Sequence, residues 1–182
     1  MRKEEIEAVV RTDAGLCGLW QAVEPGAPAW YGEDGGDVDD TELAGWIEAG
    51  VFVPLNVGGD GTFGVTVRVV DASAEAGGLS EREARHRLVS SDRYLLVSQG
   101  NAVLGGLEEV GNGGTELSLP AGRYAVTVHL IDWQSDPESV GPDGSPAEAA
   151  LPDFAVTISE APTAETTSHA YRKKIETFDP PQ

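Results

Sequence analysis

Short stretches in which apolar and polar residues alternate, separated by turns rich in glycine and proline, make up most of this chain. Residues 62–70 are the clearest, with Phe63, Val65, Val67 and Val69 falling on one side. The apolar, β-favouring run 51–57 precedes them, and Gly58-Gly59-Asp60-Gly61 between the two predicts a hairpin. Pro54 lacks an N–H and places the first of these strands at an edge or ends it early. The longest β run is 123–131: Tyr124, Val126, Val128 and Leu130 line one face, and Ala125, Thr127, His129 and Ile131 the other. Residues 115–119 also alternate, and Pro120-Ala121-Gly122 predicts the turn of a second hairpin.

Residues 6–11 and 16–23 read as strand, turn, strand around Thr12-Asp13-Ala14-Gly15, the alternative being a helix over 3–10. Further strands are predicted at 93–98, 102–104 and 154–158, with a turn at 99–101. Two segments carry helical signals. Asp40 is a good N-cap for 41–49, where Leu43, Trp46 and Ile47 share a face and Gly50 stops the helix. Ser80-Glu81-Arg82-Glu83 has the spacing of a capping box and opens a helix to about Leu88.

About eight short strands and two short helices predict a mainly β fold: an antiparallel β-sandwich or a partly open barrel. The expected core is Leu19, Trp46, Phe52, Phe63, Val65, Val67, Leu95, Val97, Leu117, Tyr124, Val126, Val128 and Phe154. Residues 1–160 read as one β-rich domain and 161–182 as a polar tail.

Two segments bear a resemblance. Val57-Gly58-Gly59-Asp60-Gly61-Thr62-Phe63-Gly64-Val65 resembles a Gly-Asp-Gly-x-Phe/Tyr hairpin of uncharacterised bacterial β-sandwich proteins, with Gly64 where those families usually have proline. Leu119-Pro120-Ala121-Gly122-Arg123-Tyr124-Ala125-Val126 resembles a strand entry in similar proteins. Some of those families occur near toxin–immunity or competence systems. The resemblance implies a β fold and no catalytic residue.

Charge changes the functional picture most. The 182 residues hold 31 Asp and Glu against 12 Lys and Arg, a net charge of −19. Such a chain is expected to bind neither nucleic-acid phosphates nor an anionic membrane surface. No run reaches the roughly 18 apolar residues of a membrane span, and the charged start at Met1-Arg2-Lys3 does not read as a secretory signal, so a cytoplasmic location is expected. The acids concentrate in two predicted loops, 24–42 and 132–148.

Candidate chemistry is thin. The single cysteine, Cys17, sits in an apolar run and reads as a core residue. Asp37, Asp39 and Thr41 match the first ligands of a calcium loop, but Glu42 stands where the turn needs glycine. His86, His129 and His169 lie far apart, and only a spatial His129–Asp132 pairing suggests itself. The glycine-rich stretches lack the residues of a nucleophile elbow or a phosphate loop. No metal, cofactor or catalytic residue is therefore expected. Trp30, Tyr31 and Trp133, beside Asp34, Asp37, Asp39 and Asp132, read either as loop aromatics folded back to cap the core or as apolar anchors with a charged rim. The expectation is an acidic interaction module for a basic protein partner, immunity- or inhibitor-like. The alternative is a β-sandwich that binds a small molecule, carbohydrate or metal, or an enzyme whose site assembles only in three dimensions.

Overall fold

A computed structural model describes residues 4–22, 40–111 and 113–162. They form eight strands: β1 (Glu5–Thr12), β2 (Leu16–Gln21), β3 (Phe52–Asn56), β4 (Gly61–Val69), β5 (Arg87–Ser90), β6 (Tyr94–Gly106), β7 (Thr115–Ile131) and β8 (Phe154–Glu160). Two helices join them, α1 (Asp40–Ala49) and α2 (Glu81–His86). The strands make one mixed sheet in the order β1-β4-β8-β7-β6-β2-β3, with β5 paired to β7. The main core draws Val10 from β1, Leu19 from β2, Phe52 from β3, Val67 from β4, Leu104 from β6, Val126 from β7 and Val156 from β8. The edge strands β1 and β3 do not pair with each other, so the sheet stays open.

The alternation predicted for 62–70 and 123–131 is observed, and ten of the thirteen expected core residues are buried. Trp46 and Phe63 pack against the main core half-buried, and Val97 joins Leu95 and Ala125 in a separate cluster on the other face of the sheet. Pro54 lies on β3, which pairs only with β2, as an edge proline should. Ser80 and Glu83 make both bonds of the capping box, and Gly50 closes α1 with φ 73°.

Four expectations are corrected. β3 and β4 do not pair: β3 joins β2 and β4 joins β1, so the glycine turn between them is a corner that carries the chain to the far side of the sheet. Turn residues fix a reversal of direction but not the partner. The turns expected at 99–101 and 120–122 are a β-bulge, where Pro120 and Ala121 face Gln99 inside one long β6–β7 hairpin. Proline is tolerated there because a bulge suspends the ladder. Residues 87–90 leave the helix and pair with β7 as β5. Finally, the sheet is not wholly antiparallel. β4 and β8 run parallel, a pairing between strands some ninety residues apart that no local signal encodes.

β2 is buried almost throughout: it lies between β6 and β3, the two strands on which α1 packs, and its side chains join the main core. On that strand Gly18 is required by contact: a Cβ there would stand 2.2 Å from the Phe52 ring, which stacks on Trp20 with 6.3 Å between centroids.

A candidate interaction cleft

The outer face of β1 and β4 is one wall of a cleft of about 880 Å³. Register puts Glu5 opposite Arg68, Glu7 opposite Thr66 and Val9 opposite Gly64 on this face. The start of α2 and the segment 146–153 make the other wall, with Trp133 beside them.

Specific polar bonds hold that second wall in place. Arg82 on α2 pairs with the Asp136 carboxylate and donates to the Ala149 carbonyl at 2.9 Å and to Ser139 Oγ at 3.1 Å. The Ser139 hydroxyl donates to Asp136 and accepts from the Leu151 amide at 2.8 Å. Bonds from Ser139 and Arg82 keep the Asp136 carboxyl below the usual carboxylate range. Asp153 ties this wall to the sheet: its Oδ2 accepts from the Gly64 amide at 2.7 Å, and its Oδ1 from the Trp133 indole at 3.0 Å. The Gly64 amide is the donor that the proline of the resembling families would remove.

At the floor, the Arg68 guanidinium bridges Glu5 at 2.5 Å and Glu83 at 2.6 Å. Glu83 is 2% exposed. Burial alone would raise its carboxyl, but hydrogen bonds from Arg68 and the Ser80 amide outweigh burial and hold it ionised, below its ordinary value. Both arginines of the cleft are thus matched by embedded carboxylates. The exposed acids around them, Glu7, Glu148 and Glu138, face solvent, Glu138 reaching Arg82 only at 3.8 Å. Apolar groups sit between them: Val9 is 76% exposed, and Leu151 and Trp133 are half-buried.

No family model and no curated protein matches this chain. Two solved structures do. One, titled "Crocagin biosynthetic gene J", is 20% identical with a TM-score of 0.63, over 89% of this chain and 100% of that one. The other, ComJ from Bacillus subtilis, an inhibitor of the DNA-degrading activity of NucA, is 9% identical with a TM-score of 0.47, over 88% of this chain and 100% of that one. The likeness to the first is one of fold.

Of the predicted site residues, Trp133 lines the cleft, and Asp132 precedes it in the chain without being one of the lining residues. Asp132 is half-buried and caps a 3-10 turn at residues 133–135, and Trp133 folds back onto Asp153. Trp30, Tyr31, Asp34, Asp37 and Asp39 lie outside the described residues, as does His169. His129 is not paired with Asp132. It is buried, with Nδ1 2.7 Å from Ser90 Oγ and Nε2 3.2 Å from Thr157 Oγ1. Burial, helped by the Arg87 charge, lowers its pKa to about 4, so the ring is neutral. His86 is half-buried, with Nδ1 2.8 Å from Ser135 Oγ. Cys17 is fully buried, and desolvation together with Glu108 and Glu109 pushes its thiol up to about 12, which leaves no thiolate for nucleophilic chemistry. No cluster of potential metal ligands occurs among the described residues, and no helix among them is long and apolar enough to cross a membrane.

Sequence reasoning missed the cleft's own machinery: Arg68, Arg82, Glu83, Asp136 and Asp153. The capping box located Glu83, but its partner Arg68 is 15 residues away and on another element. Nothing in the alternation of 132–148 marked Asp136 as a buried clamp rather than a surface acid.

Proposed function

We propose that this chain is an acidic interaction module that binds a basic protein partner in the manner of an immunity or inhibitor protein, with its cleft as part of the binding face. One observation carries the reading: Arg68 and Arg82 are matched by the embedded Glu83 and Asp136, leaving the exposed Glu7 and Glu148 in the cleft lining with Val9, Leu151 and Trp133. Apolar anchors beside exposed carboxylates suit a cationic protein surface, and the −19 net charge would steer its approach. On this reading Asp132 and Trp133 belong to the face, and Trp30, Tyr31, Asp34, Asp37 and Asp39 extend it. The open sheet is read as a partly open barrel, and the setting as cytoplasmic.

A small-molecule site in the same cleft is the weaker reading, because its embedded polar groups already bond to one another. The test is affinity capture from a lysate of the source organism at about 50 mM salt, where the screening length is about 14 Å. The expected result is a discrete basic protein, released by rising salt and no longer captured by a Glu7→Gln/Glu148→Gln/Trp133→Ala variant. Equal capture by that variant, or no basic protein at all, contradicts the reading.

A further inference from the structure

The cleft opens along β1, which pairs on one side only, with β4. The phase of its ladder is fixed by the bond from the Val69 amide to the Glu4 carbonyl at 3.0 Å. In an antiparallel pair, hydrogen-bonded and non-bonded positions alternate. Ile6, Ala8 and Val10 therefore turn their backbone groups towards β4, and Glu5, Glu7 and Val9 turn theirs outwards. Among the described residues, none bonds to those outward groups. The same three residues carry their side chains on the cleft face. The opposite face of the strand shows the half-buried Ile6 and Ala8.

We infer that β1 is a docking edge for an extended basic segment of the partner, which adds to the sheet as a ninth strand in which cationic and apolar residues alternate. This rests on the interaction reading above and specifies its mode. A residue hydrogen-bonded to Glu7 would share its face, so a cationic side chain there meets the exposed Glu7 carboxylate at the cleft, Glu5 being already held by Arg68. The intervening side chains turn to the other face and cover Ile6 and Ala8, where apolar groups fit. Charge complementarity selects this occupant over a second copy of the chain, since each copy carries a net charge of −19 and two copies would repel.

The probe is a nine-residue peptide alternating arginine and valine, titrated into the isotopically labelled full chain. Its control is the same peptide N-methylated at the arginine amides, which keeps every charge and removes the donors that would meet β1. The alternating peptide should shift the amides of residues 5–9, and the methylated one should bind at least tenfold more weakly. Val9→Pro, which removes an outward N–H without touching the β1–β4 ladder, should weaken the alternating peptide to the level of its control. Equal affinity for both peptides would overturn strand addition and leave the charge-driven module standing. No binding, or shifts centred on β3 instead, would also overturn it. So would a dimer of the free chain that Val9→Pro dissociates, because a second copy would then hold the edge.

Discussion

His129 makes acid stability a quantitative test of how the outer face of the sheet is packed. The ring is 3% exposed, neutral, and bonded on both nitrogens by hydroxyls that suit an uncharged imidazole. Gly77 lies beside it, the Arg87 and Glu83 charges act on it in opposite directions, and burial outweighs both. Its pKa is about 4 in the fold, against about 6.5 in an unfolded chain. A histidine lowered in this way leaves stability intact above pH 6.5. The stability is lost as pH falls towards 4, because the unfolded chain takes up the proton first. By linkage, the loss reaches about 2.5 kcal/mol at pH 4.5 and about 3.4 kcal/mol once both states are protonated. Carboxylates contribute at the acid end too, so the test is a difference. His129→Gln keeps a donor and an acceptor but does not titrate. Urea denaturation of both proteins at pH 7 and pH 4.5 should show the wild type losing about 2.5 kcal/mol more than the variant. Parallel losses would refute the account of this face.

Other substitutions probe the remaining supports. Gly18→Ala drives a methyl group into the Phe52 ring and should cost about 1–3 kcal/mol in a denaturant titration, with altered near-ultraviolet signal from Trp20. Glu83→Ala removes the buried partner of Arg68 and one bond of the capping box, and should cost about 3 kcal/mol by thermal or urea unfolding. Arg82→Ala should loosen the segment that walls the cleft, seen as about tenfold faster hydrogen exchange at the Ala147 and Leu151 amides, with the β6–β7 core unchanged.

What could be read from the sequence was whatever a few neighbouring residues decide together. Alternation at 62–70 gave β4 its buried face, and the Ser80–Glu83 spacing gave α2 its start, since both depend on contacts within a few positions. Partner choice was hidden. The run through Gly58–Gly61 looks the same whether the flanking strands pair with each other or, as here, with β2 and β1 separately. The parallel β4–β8 pair and the Arg68–Glu83 and Arg82–Asp136 bonds belong to tertiary packing, and each joins residues too far apart for periodicity to register. Trp133 and Asp132 were visible as an aromatic beside an acid, but only the fold shows the indole turned onto Asp153 at the cleft wall.

The central claim is that an acidic, partly apolar face receives a basic protein. Its most direct measurement is the affinity of the captured partner across ionic strength, for the wild type and for Glu7→Gln/Glu148→Gln. The account predicts binding that weakens about tenfold or more between 50 and 300 mM salt, and a shallower salt slope in the variant. Affinity independent of salt, or an unchanged slope after both carboxylates are neutralised, would contradict it.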